Sequence, residues 1–211
     1  MATQNPVPVI GSDPNDYKKI MRLGPGDEKR DLLERYGILF LDDEIEEGTT
    51  YTTCLDLIYL HKIGFNRPIW IVLKSPGGSI HEGLAIYDCV RALTQQGMPV
   101  NILGMGAVAS MAAVIMQAAT KRFSLPHTQF LIHQLSQTVV DREEVNEGEE
   151  RVEENKRINS ICLQLIAERV GIEIKKLRAL SKKKDYWLDA AGARNFGTNG
   201  LIDEITLTLP F

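Results

Sequence analysis

The residues best equipped for chemistry are Ser110, His133 and Asp185. A serine hydroxyl at its ordinary pKa is a weak nucleophile. It needs a neighbouring base, and the base needs a group that fixes its tautomer and stabilises its charged form. These three residues could fill those roles, but chain order alone does not establish them, because the same geometry arises on unrelated folds in different orders. The setting of Ser110 is more informative. It ends the run Gly104-Met105-Gly106-Ala107-Val108-Ala109 and opens Met111-Ala112-Ala113, which reads as a strand of small and apolar residues turning into a helix. The first amides of a helix have no intrahelical acceptor, so the N–H of Met111 could meet a developing oxyanion. A second donor could come from Gly78, in the turn Ser75-Pro76-Gly77-Gly78, whose glycines allow a substrate to approach closely. Two such donors would form an oxyanion hole, each worth about 3–4 kcal/mol. Asp189 competes with Asp185 for the third role; it also suits the N-cap of a following helix.

The elements that must hold these groups are legible in outline. Gly37 to Leu41 reads as a buried strand, and Thr50 to Lys62 carries apolar residues at helical spacing. Ile69 to Leu73 is a second strand, followed by the Pro-Gly-Gly turn and a helix through Gly83 to Val90; Val100 to Leu103 is a third strand, ahead of the helix at Ser110. This repeated strand-then-helix order predicts an α/β domain with a largely parallel sheet. Active sites in that class gather at the C-terminal ends of the strands. Phe123 to Leu125 and Gln129 to Ile132 flank Pro126-His127, which predicts a strand, a turn and a second strand ending at His133. Arg142 to Val170 predicts one helix well beyond the ordinary ~11–12 residues. Its charged first half should project into solvent or against another subunit. Its second half, with Ile158, Ile161, Cys162, Leu165 and Ile166, should pack on the core. Residues 1–30, punctuated by Pro6, Pro8, Pro14, Pro25, Gly11, Gly24 and Gly26, read as a mobile or partner-ordered arm ahead of a single domain over 31–211.

Composition narrows the classes of function. With 211 residues, 44% hydrophobic and 25% charged, the chain fits one globular domain. Its formal net charge of -4 gives no general electrostatic case for nucleic acid. The sequence holds no apolar stretch of the roughly 18 residues a membrane span needs, and no basic-then-apolar leader. A soluble, cytoplasmic protein is expected. Cys54, Cys89 and Cys162 are odd in number and widely spaced, which predicts reduced, partly buried thiols rather than a disulfide framework or a zinc site. No metal is expected: His81-Glu82 begins like HExxH but meets Ala85, and His61 and His127 stand in no ligand spacing.

Several stretches in series resemble one family. Ser75-Pro76-Gly77-Gly78-Ser79 with Gly83-Leu84-Ala85-Ile86-Tyr87-Asp88, then Ala109-Ser110-Met111, Leu125-Pro126, Ile132-His133-Gln134, Lys184-Asp185, Phe196-Gly197 and Gly200-Leu201-Ile202-Asp203 are similar, in order, to the proteolytic subunit of the Clp protease, ClpP. The resemblance runs from about Asp31 to the C-terminus. It implies a crotonase-like α/β head with a protruding helical handle at about 135–170, and a serine endopeptidase with nucleophile Ser110, base His133, acid Asp185, and oxyanion amides of Gly78 and Met111. It further implies that substrate lies along Gly77, Ser79, Ile80, Gln134 and Leu135. The implied assembly is a homo-oligomer of two stacked heptameric rings, with room for a paralogue, enclosing a chamber for unfolded proteins. No phosphate-binding GxxxxGK[ST] loop occurs in the chain, so ATP would be used by a separate ATPase of the Clp/Hsp100 type and the chain would need no cofactor of its own.

Four features depart from the family pattern: Ser110 to His133 is about two residues shorter, at Ala118-Ala119-Thr120-Lys121-Arg122, the handle is slightly longer, and two further stretches differ. His133-Gln134 leads into Leu135-Ser136-Gln137-Thr138-Val139-Val140, where the family has a proline and a glycine-rich strand, and the N-terminal arm does not match the family's axial loops. Tyr51, Tyr59 and Phe65 could line a docking groove or belong to the core. Two other readings stay open: a crotonase-fold acyl-CoA enzyme, which would not need Ser110, His133 and Asp185 together, and a non-catalytic ring subunit, whose usual mark is a missing triad member.

Overall fold

The strands lack the hydrophobic alternation of a half-exposed sheet, and burial on both faces is the reason. In β2 (Ile69–Ser75) every residue from Ile69 to Leu73 is buried. The computed structural model describes residues 27–133, 145–182 and 185–211. Its first elements are α1 (Asp27–Asp31), which runs into a π-helical turn at Leu32–Tyr36, and β1 (Ile38–Leu41). Then come α2 (Glu47–Lys62), β2, α3 (Ile80–Gln95), β3 (Val100–Ala109), α4 (Met111–Met116), β4 (Arg122–Ser124) and β5 (Gln129–Ile132). The long α5 (Val145–Val170), α6 (Ile174–Ser181), β6 (Tyr186–Leu188), α7 (Ala190–Arg194) and β7 (Glu204–Ile205) complete the order.

The sheet runs β1-β2-β3-β4-β7, all parallel, with β5 paired to β3 and β6 antiparallel to β5. This is the mixed α/β architecture with a largely parallel sheet that the sequence predicts. One face carries the main core, where Leu41, Leu57, Ile71, Leu73, Ile86, Val90, Ile102 and Ile115 are fully buried under the helices; burial of each such side chain contributes roughly 1.5–3 kcal/mol. A smaller cluster of Ile38, Trp70, Val72, Leu103 and Phe123 covers the opposite face, and Phe211 lies against Trp70 at 5.6 Å between ring centroids.

Observed elements are mostly longer than their sequence signals. α2 starts at Glu47 and α3 extends from Ile80 to Gln95, because caps and first turns carry little apolar content. β3 continues through Gly104-Met105-Gly106 to Ala109 instead of stopping at Leu103. β4 and β5 do not pair with each other across Pro126-His127. β4 lies along Ile102 to Gly104 and β5 along Ala107 to Ala109, so both are successive neighbours of β3. The register against β2 shifts over the same interval, between Leu73↔Gly104 and Ser75↔Val108, where Gly106 has φ 66°. A glycine there lets the strand absorb a bulge as it changes partners.

α1 takes in the last residues of the expected N-terminal arm; the remainder of the arm, and the strand expected after His133, lie outside the described residues. α5 agrees with the predicted long helix, except that Ile161, expected on the core, faces outward and is exposed. Glu153, Glu154, Lys156 and Arg157 are exposed, whereas Ile158, Cys162, Leu163, Ile166 and Val170 are buried. Of the aromatics with two readings, Phe65 packs against the core beneath Gly37, while Tyr51 and Tyr59 are exposed.

Candidate functional site

Ser110 stands between β3 and α4 with φ 55° and ψ -121°, the only non-glycine residue of positive φ among the described residues. Such a conformation costs of order 1–3 kcal/mol and persists only where the surroundings impose it. They do so here from both sides: the Ser110 amide donates to the carbonyl of Leu131 at 2.9 Å, and α4 starts at once with the wholly buried Met111-Ala112-Ala113-Val114-Ile115-Met116. Its Oγ lies 2.7 Å from Nε2 of His133, within hydrogen-bond range for a base that takes the hydroxyl proton.

Strand register brings the remaining groups to this point. β5 pairs with β6 through Phe130↔Leu188, Leu131↔Trp187 and Ile132↔Tyr186. One further step of that antiparallel register sets His133 opposite Asp185. Nδ1 of His133 is 3.9 Å from Oδ1 of Asp185, close enough for charge attraction but too long for a hydrogen bond. The Asp185 side chain is 59% exposed, that of His133 23%. Asp189 is engaged elsewhere: its carboxylate accepts the Gly192 amide at 2.7 Å as the N-cap of α7, so the capping role is the one it takes.

The Gly77-Gly78 turn is built into the same site. Gly77 has φ 97°, and a Cβ there would come within 2.6 Å of the Ser110 Cβ. Gly78, at φ 147°, forms a parallel bridge with Ile45; a Cβ would meet the Ile45 carbonyl at 2.3 Å. In that bridge Ile45 donates to the Gly77 carbonyl and Ser79 donates to the Ile45 carbonyl, each at 2.8 Å. The Gly78 N–H between them therefore points away from Ile45, and the first amide of α4, on Met111, has no intrahelical acceptor. Ser79 caps α3, its hydroxyl accepting from the Glu82 amide at 3.5 Å. Ile80 lines a narrow pocket of about 20 Å³ beside Ser110, together with Met111, Val114, Ile132, His133 and residues of α5. Gln134 and Leu135 lie outside the described residues.

Several contacts at the site escaped the sequence reading. Gly83 admits Met111: a Cβ on it would sit 2.2 Å from the Met111 Cγ. Ile45 holds the glycine turn. Asn159, Cys162, Leu163 and Ile166 of α5 wall the pocket, and burial pushes the Cys162 thiol up to about 11. Helical periodicity places the apolar residues of α5 on a buried face, but it says nothing of which neighbour that face covers.

An α/β domain that brings a strained serine and a histidine together above the carboxyl ends of a parallel sheet has the make-up of a hydrolase. Comparison with known proteins identifies the kind. The sequence model of the Clp protease family matches residues 27–208. ATP-dependent Clp protease proteolytic subunit 2 of Prochlorococcus marinus (strain MIT 9313) is 33% identical over 181 residues, which cover 83% of this chain and 86% of that protein. The corresponding protein of strain NATL2A is 32% identical over 180 residues, with the same coverage of both chains. Proteolytic subunit 3 of Synechococcus sp. (strain CC9605) is 31% identical over 181 residues, again 83% of this chain and 86% of the relative. The chain belongs to the Clp protease family: it is a proteolytic subunit of the Clp type, and so a peptidase.

Proposed function

We propose that this chain cleaves peptide bonds through Ser110, with His133 as general base and Asp185 as the acidic partner of the imidazole. The observation that carries this reading is the 2.7 Å approach of Ser110 Oγ to His133 Nε2 at a strained strand-to-helix junction. His133 takes the hydroxyl proton as Ser110 attacks the carbonyl carbon, and returns it to the leaving amine as the acyl-enzyme forms. Water then repeats the sequence and releases the acid. The amides of Gly78 and Met111 receive the oxyanion, and the apolar pocket over Ile80, Val114 and Ile132 accepts a substrate side chain. Gly77, Ser79, Gln134 and Leu135 bind the backbone of the substrate. Asp185 acts across 3.9 Å, mainly by stabilising the imidazolium through charge.

In this reading the chain works without a cofactor of its own, in the cytoplasm. It assembles into two stacked heptameric rings, with itself or a paralogue, and receives unfolded protein from an ATPase of the Clp/Hsp100 type. The family basis supports a ring that works with Clp ATPases, and among the described residues no helix is long and apolar enough to cross a membrane. The test is active-site labelling: a fluorophosphonate should add to Ser110 and to no other residue, by intact mass and peptide mapping, in material of known oligomeric size. An assembled but unlabelled protein without peptidase activity would instead make it a non-catalytic ring subunit.

A further inference from the structure

The pocket beside Ser110 has a size as well as a location, and its size bears on substrate. Its volume is about 20 Å³, roughly the space in which a single water fits. A methyl group is about as large as a water. The side chain of alanine therefore fits, whereas the branched chain of leucine or the ring of phenylalanine exceeds the space available.

The walls are buried and braced. Met111 and Val114 of α4, Ile132 of β5, and Leu163 and Ile166 of α5 line the pocket, and all are buried. Met111 has no room to draw back toward α3, because its Cγ already occupies the space a side chain at Gly83 would need: a Cβ there would lie 2.2 Å away. Within α5 the lining residues Asn159, Cys162, Leu163 and Ile166 are spaced three and four apart, so a single stripe of the helix forms that wall. Arg169, one turn further on, donates to the carbonyls of Ala119 and Thr120, each at 3.1 Å. This ties α5 to the chain just beyond α4 and fixes the two helical walls relative to each other. Interiors are packed like crystals, so a wider pocket requires a buried helix or strand to move; no free side chain can simply rotate away.

Resting on the reading of Ser110 as the nucleophile, we propose that this pocket limits cleavage to bonds that follow a small side chain, alanine above all, and that the α5 stripe sets the limit. The residue concerned is the one whose carbonyl Ser110 attacks, since its side chain lies nearest the pocket. Each methylene beyond the space available lowers the rate by about tenfold or more. The favoured substrates are accordingly unfolded segments rich in alanine.

The experiment uses the assembled full-length chain and a series of peptidyl phosphonate esters that differ only in the residue bearing phosphorus: alanine, valine, leucine or phenylalanine. The rate of addition to Ser110 is read by intact mass. The alanine probe should react fastest, the leucine probe about 10²-fold more slowly, and the phenylalanine probe more slowly still. Ile166→Ala should raise the leucine-to-alanine rate ratio by about tenfold. Ile166→Val, which removes one methyl and keeps the packing, should move the ratio in the same direction. A simple alkyl fluorophosphonate, which places no side chain in the pocket, reports whether Ser110 is reactive at all. If it labels Ser110 while leucine or phenylalanine reacts as fast as alanine, or while neither variant moves the ratio, the size limit is overturned and the peptidase reading stands. A Ser110 that resists the fluorophosphonate and every phosphonate overturns that reading, and the pocket's role with it.

Discussion

The two halves of β3 do different work. Its first half, from Ile102 to Gly104, pairs with β4 and borders the buried Arg122, which is 1% exposed and donates to the carboxylate of Asp203, to Gln117 Oε1 at 2.7 Å and to the Gly200 carbonyl at 2.9 Å. Its second half, from Ala107 to Ala109, pairs with β5 and delivers Ser110 to His133. Around Arg122 the guanidinium nitrogens are all hydrogen-bonded; at Ser110 the backbone is strained, with φ 55°. A single strand can serve stability and chemistry because the bulge at Gly104-Met105-Gly106 separates the two partners. The strain at Ser110 is tolerable because the other half of the strand is firmly anchored.

That contrast can be broken at either end. The largest effect is expected for Ser110→Ala: peptide hydrolysis should fall by about 10⁴-fold or more, while ring assembly, by size-exclusion chromatography, and the thermal midpoint stay unchanged. Gly77→Ala places a Cβ 2.6 Å from that of Ser110 at φ 97°. It should lower kcat/KM by about 10²-fold, since roughly 1 Å of displacement at a reacting group costs that much. Retention of full kcat/KM by this variant would show that the turn does not position the nucleophile.

Asp203→Asn probes the other half of β3. It should destabilise the fold by about 2 kcal/mol at neutral pH, because it leaves the Arg122 guanidinium poorly compensated, yet change activity per folded molecule little. Burial alone would raise the Asp203 carboxyl, but hydrogen bonds and charge from Arg122 outweigh it and hold the group below its ordinary range. Its stabilisation is therefore present above the unfolded carboxylate pKa near 4 and disappears as pH falls through the lower folded value. Denaturation of parent and variant as a function of pH should show their difference intact at pH 7 and shrinking below about pH 4.

The smallest effect is expected for Asp185→Asn. An acid hydrogen-bonded to the histidine is worth about 10⁴-fold; one 3.9 Å away and largely exposed should be worth about tenfold in kcat, because solvent screens the attraction. A loss near 10⁴-fold would show that Asp185 closes on His133 in the working assembly.

Much of this site was legible because several of its parts are local. A small-residue strand running straight into a helix marks Ser110 and the Met111 amide, and a Pro-Gly-Gly turn after a strand marks Gly78. Asp189 was legible too, as a cap, since capping is decided within one helical turn. Other features left no such mark. Nothing near Ile45, Gly83 or Asn159 in the chain shows that they meet the turn, Met111 and the pocket. β4 and β5 look like the arms of a hairpin, because their signals give strand character without partner.

By itself the sequence determined the alternation of strands and helices, the buried character of the sheet, the long α5 and the residue types able to do chemistry, because these depend on periodicity and on local backbone preference. Only the tertiary structure decided that β3 changes partners at its bulge, that the β5–β6 register sets His133 opposite Asp185 but leaves 3.9 Å between them, and that α5 closes the pocket. Those outcomes rest on pairings between segments far apart in the chain, and backbone hydrogen bonds are nearly blind to the side chains that make them.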